Sequence, residues 1–179
     1  MKGILALAAV CLMLAACNQE QPTGTAPAPH ELTAEAMGHY CGMNVLEHPG
    51  PKGQIILASR IDPVWFYSAR DTIAFTMLPE EPKDIQAIYV SDMAKTPDWD
   101  KPGAANWVDA KKAWFVIGSK VRGGMGAEEA VPFSDHDAAA RFSRENGGRV
   151  VAFSAIPKDY VLGGGTTGEV PASTSATGH

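Results

Sequence analysis

Two stretches of this 179-residue chain, residues 64–71 (VWFYSARD) and 130–137 (AVPFSDHD), each end an apolar strand pattern in aromatic-Ser-x-x-Asp. This weak internal repeat restricts the fold more than any other feature, because a repeat makes each half one supersecondary unit. Ser followed three residues later by an acid approximates a capping box, so Ser68 and Ser134 are expected as N-caps, with Asp71 and Asp137 at the positive helix ends. Helical patterns follow over 69–77 and 135–145, and breakers stop both: Pro79 and Pro82 in the first, Asn146-Gly147-Gly148 in the second. Each copy is preceded by a strand pattern, 54–58 (QIILA) and 113–117 (AWFVI), and followed by another, 85–90 (IQAIYV) and 149–154 (RVVAFS). Identity between the copies hardly exceeds the Ser and the Asp, yet the order of elements is the same. The economical reading is an α+β protein of two similar small ββαβ lobes, residues 32–92 and 111–161. Residues 93–110 join them as a long polar, proline-bearing connection, which Trp99 and Trp107 should pin to a lobe surface by burial.

The ends of the chain read differently. Lys2 supplies a positive start, and residues 3–16 form an almost purely apolar run of fourteen, short of the about 18–20 needed to span a bilayer. The run closes in Leu14-Ala15-Ala16-Cys17, which resembles the cleavage site of bacterial lipoprotein signals. Residues 1–16 are therefore expected as a signal peptide and Cys17 as the lipidated first residue, held stably once two or more acyl chains are attached. Residues 17–31 read as a flexible stalk and 162–179 as a disordered tail, both poor in apolar periodicity. The protein should face the periplasm from a membrane it does not cross. Asn18 in place of the Asp that retains lipoproteins at the inner membrane favours the outer one. With 15 basic against 20 acidic residues the chain carries a formal charge of -5, which offers no cation excess for nucleic acid.

Of three cysteines, Cys11 leaves with the signal and Cys17 is consumed by lipid. Cys41 remains as the only free thiol in an oxidising compartment, where an unpaired thiol is a hazard unless it is used. It sits in His39-Tyr40-Cys41-Gly42-Met43. In an extended chain, residues two apart share a face about 6.5–7 Å apart, so imidazole, thiolate and thioether could point one way. Two soft sulfurs in Cys-x-Met suit Cu(I), whereas harder divalent ions prefer nitrogen and oxygen. There is no Cys-x-x-Cys and no structural-zinc spacing. Met125, within Gly123-Gly124-Met125-Gly126, offers a further thioether in a loop that provides no packing partner. Met37, Met77 and Met93 read as core fillers. His39 and His48 are the two imidazoles near Cys41, and either could complete a site or simply be exposed. His30, His136 and His179 carry no such suggestion.

Taken together, the lipobox, Cys41-Gly42-Met43, the turn His48-Pro49-Gly50-Pro51-Lys52-Gly53, Gly124-Met125-Gly126 and Val131-Pro132-Phe133 resemble the NosL family of nitrous-oxide reductase accessory lipoproteins across nearly all of residues 32–157. The resemblance implies two lobes similar to those of the MerB-like organomercurial lyases. It also implies a periplasmic lipoprotein that binds Cu(I), one per chain, and supplies copper for the centres of nitrous-oxide reductase, chiefly the sulfide-bridged cluster. An ABC-type membrane assembly complex is the implied partner. The implied ligands are Cys41 and Met43 from the first lobe and Met125 from the second. Lyase chemistry is not expected, because cleaving a carbon-metal bond takes a pair of thiols with an acid and the mature chain has one thiol. A metal-free adaptor docking on a membrane complex and a general copper buffer are the rival readings.

Overall fold

The computed structural model describes residues 25–96 and 98–163. The expected signal peptide, Cys17 and the tail from residue 164 onward lie outside the described residues. The first lobe is built from β1 (Gly53–Leu57), β2 (Val64–Phe66), α1 (Ala69–Met77) and β3 (Ile85–Ser91). Its sheet is antiparallel with β1 in the middle: Gly53 pairs with Phe66 on one side and with Val90 on the other. All five residues of β1 are buried. Ile55 and Leu57 join the main core with Ile73 and Phe75 of α1. Gln54 uses its side-chain amide to bind both backbone groups of His30, at 2.8 Å each. Tyr89, its register partner, donates its hydroxyl to the Pro27 carbonyl at 2.6 Å. The chain expected as stalk is thus bound to the sheet from Pro27 onward, because the second face of β1 and β3 needs a cover and offers side-chain partners to it.

The second lobe repeats the arrangement with β5 (Trp114–Ile117), β6 (Val131–Phe133), α2 (His136–Asn146) and β7 (Arg149–Ala152). Strand order is β6-β5-β7, matching β2-β1-β3 of the first lobe, so the order of elements expected from the repeat is the order found. Pro132 is tolerated because β6 is an edge strand of this sheet. The caps agree only in part. Ser68 caps α1, its hydroxyl accepting from the Asp71 amide. In α2 the cap is Asp135, which accepts from the Ala138 amide at 2.7 Å, and not Ser134. Ser134 instead gives its amide to the buried carboxylate of Asp92 at 2.9 Å. A second good capping residue stood one position later and took the role.

Three features exceed the expected lobes. Trp107–Asp109 of the connection is a strand, β4, which adds to the free edge of β3. Trp107 also faces Trp65, with ring centres 6.0 Å apart. Lys158–Leu162 forms a short helix, α3, whose five residues are too few to show a period. Arg70 of α1 clasps it, donating to the carbonyls of Tyr160 and Gly163. Finally, the main core runs through both lobes, joining Ile55, Phe66 and Ile73 to Phe115, Ile117, Val151 and Val161. No described helix is long and apolar enough to cross a membrane.

Candidate metal centre

Cys41 sits at the tip of a narrow turn and not in a strand, which corrects the extended geometry expected for residues 39–43. Ala36 and Gly38 pair back with Val45 and Met43: the Val45 amide donates to Ala36 at 2.9 Å and the Gly38 amide to Met43 at 2.8 Å. The reversal closes with the Gly42 amide on the Gly38 carbonyl, and Gly42 has φ +65°, a conformation open to glycine. The turn is fastened to the edge of β2 by the His39 amide on the Trp65 carbonyl. A Cβ at Gly38 would stand 2.7 Å from Cys41 Sγ and 3.6 Å from the Met43 carbonyl. The thiol therefore leans over the Gly38–Met43 pair, in space that only a glycine leaves free. Met43 is 37% exposed and Cys41, a free thiol, is half-buried.

Met125 occupies the tip of a second turn, closed by the Gly126 amide on Gly123 and the Gly123 amide on Ala127. Its side chain is 51% exposed. The second lobe projects this turn onto the first: a Cβ at Gly124 would meet both His48 Cβ and the Pro49 carbonyl at 2.8 Å. Glycine is what allows the two backbones to touch. Trp99 closes the other side of the His48–Gly50 turn, accepting the Gly50 amide at 2.7 Å and packing with the second lobe's core. The His48 ring lies 5.5 Å from that of Tyr67, and Tyr67 in turn borders Gly38 and Cys41. The Met125 turn thus packs on His48, whose ring neighbours that of Tyr67, and Tyr67 and Cys41 both border the space beside Gly38.

The two candidate histidines separate. His39 Nε2 is 3.2 Å from Glu81, and its ring packs edge-on against Phe66 and Phe75. His48 stays at the junction of the lobes with Nε2 buried and without a hydrogen-bond partner among the described residues. Among the described residues no three His, Cys, Asp or Glu side chains converge on one point. The candidate donors are soft, a thiol and thioethers, with the His48 imidazole at the lobe junction.

Beneath lies a buried polar layer that the sequence did not announce. Lys52 and Glu129 are each 1% exposed. Lys52 holds the carbonyls of His48 and Pro49, the latter at 3.1 Å. Burial pulls its pKa down to about 8 although Glu129 attracts its charge. Burial also pushes Glu129 up to about 7, against the donors from Arg70, Ala130 and Ser68. Tyr67 is raised, by burial first and then by the nearby Asp71. Asp71 is itself raised by burial. Lys52 falls within a turn already noted for its shape, but nothing in Glu128-Glu129 tells which carboxylate turns inward.

The family model described as NosL matches residues 29–161. The chain is 46% identical over 166 residues to the copper-binding lipoprotein NosL of Achromobacter cycloclastes, covering 92% of this chain and 85% of that one. It is 29% identical over 154 residues to the copper-binding lipoprotein NosL of Stutzerimonas stutzeri, covering 86% and 79%. Among solved structures it resembles the crystal structure of the copper chaperone NosL from Shewanella denitrificans, with a TM-score of 0.69 at 33% identity over 75% of this chain and 98% of that one.

Proposed function

Because the chain belongs to the NosL family, we propose that it is a membrane-anchored copper carrier that binds one Cu(I) with Cys41, Met43 and Met125 and hands it on for assembly of the copper centres of nitrous-oxide reductase. The observation that supports this reading is an exposed thioether on a turn of each lobe, Met43 beside Cys41 in the first and Met125 in the second, with the Met125 turn packed on His48 and Pro49 of the first lobe. One thiolate attracts the monovalent ion, and neutral thioethers complete its shell without a rigid, charge-rich cage. An incoming donor on the recipient can reach exposed metal and displace a thioether first. His48, whose Nε2 is buried and without a partner among the described residues, would serve as a further donor, whereas His39 is engaged with Glu81. The names of the relatives describe carriers and not enzymes, and a single thiol fits that role.

Cys17 would hold the protein to the periplasmic side of a membrane, the outer one by the residue that follows it. Docking on an ABC-type assembly complex is supported by the apolar side chains around the thiol. Met37, Tyr40 and Leu46 are all exposed within ten residues of sequence that also hold Cys41 and Met43, Met37 contrary to the core role expected of it. A denitrifying strain lacking this gene tests the function. Complementation with wild type should restore nitrous-oxide reduction, and Cys41→Ser should fail to, while other periplasmic copper enzymes keep their activity. Full restoration by Cys41→Ser would favour the metal-free adaptor, and parallel loss across all copper enzymes a general buffer.

A further inference from the structure

The turn that carries Met125 is tied to the first lobe by one side chain. Glu129, four residues after Met125, is buried, and its Oε1 accepts three bonds: from the Arg70 amide at 2.9 Å, from its neighbour Ala130 at 2.9 Å and from the Ser68 hydroxyl at 3.2 Å. Arg70 and Ser68 are the first turn and the cap of α1, so a carboxylate from the second lobe rests on the positive end of the first lobe's helix. The other oxygen, Oε2, is buried without a partner among the described residues and lies 2.9 Å from where a Cβ of Gly123 would stand, so the start of the turn passes close over the carboxylate. On its far side the turn meets His48 and Pro49, whose carbonyls Lys52 holds. An apolar side chain would fill this space at lower desolvation cost, but it could not gather three donors from two lobes onto one atom.

We propose that Glu129 is a positioning residue of the metal site, latching residues 123–126 of the second lobe to the N-terminal end of α1 and so setting the reach of Met125 toward Cys41. This rests on the reading of Cys41 and Met125 as copper donors, and the latch also has a signature that needs no metal. Glu129→Asp keeps the charge but withdraws the oxygen from Arg70 and Ser68, Glu129→Ala removes it, and Glu129→Gln keeps an accepting oxygen in place. In the metal-free protein, the nuclear Overhauser contact between Gly124 and His48 should vanish in Glu129→Asp and Glu129→Ala and persist in Glu129→Gln. In anaerobic Cu(I) competition, the first two should lose about 10- to 100-fold in affinity, the range for supporting partners of metal ligands. On a Met125→Ala background, Glu129→Asp should cost nothing more, since the latch acts only through Met125. An equal loss on both backgrounds, or an intact contact and affinity in Glu129→Asp, overturns the latch. Wild-type affinity in Cys41→Ser overturns the donor reading instead, and the metal-free contact then decides the latch alone.

Discussion

Glu129 and Lys52 carry opposite costs across pH. The Glu129 carboxyl is raised from 4.5 to about 7 by burial, so between those values the folded chain keeps a proton that the unfolded chain has lost. Stability from this group is therefore full below about pH 4.5 and declines as pH rises to 7. Asp71, raised by burial, acts in the same sense. Lys52 is lowered from 10.5 to about 8, so between those values the unfolded chain holds the extra proton and stability recovers as pH rises. Each group's full contribution is on the order of 3 kcal/mol. Thermal melts should thus show a minimum near pH 7–8, with midpoints rising toward pH 5 and again toward pH 10. Glu129→Gln should flatten the acid side alone. An acid-side slope of the same size in that variant would show that Glu129 is not its source.

At the level of elements, the caps state how far local sequence decides local structure. Asp135→Ala should cost about 1 kcal/mol, read as a lower urea midpoint at unchanged slope, because it strips the acceptor from the Ala138 amide. No change would return the cap to Ser134. The elements around both helices were legible because they alternate short apolar runs with strong punctuation: Ser68 before α1, Pro79 after it, and two glycines after α2. The cap of α2 was not, since Ser134-Asp135 offers two good candidates and Asp92, forty-two residues away, claims the amide of the first. Neither β4 nor α3 could be read locally. The former is a strand because β3 has a free edge, and the latter a helix because Arg70 clasps its carbonyls. The candidate metal-site residues stood out by sulfur chemistry and glycine neighbours, but their geometry did not. Cys41 lies on a turn, and the polar layer of Lys52, Asp71 and Glu129 depends on contacts between lobes that no short window of sequence contains.

The molecule as a whole joins two copies of one small unit through a single core, and the Met125 turn of the second packs on the His48–Pro49 turn of the first. The proposed donors come from both lobes: Cys41 and Met43 from the first and Met125 from the second, although Met37 of the first lobe is a further exposed thioether. Holding copper across the junction, as proposed, would make affinity depend on how the lobes meet and would leave the ion reachable from outside. The central claim, that Cys41, Met43 and Met125 hold one Cu(I), is tested most directly by anaerobic titration against a competing chelator. Wild type lacking residues 1–17 would be compared with Cys41→Ser, Met43→Ala and Met125→Ala. One tightly bound equivalent in wild type is expected, largely lost in Cys41→Ser and weakened about tenfold or more in each methionine variant. Tight binding of one equivalent by Cys41→Ser would contradict the site, and unaltered affinity in Met125→Ala would contradict its extension across the two lobes.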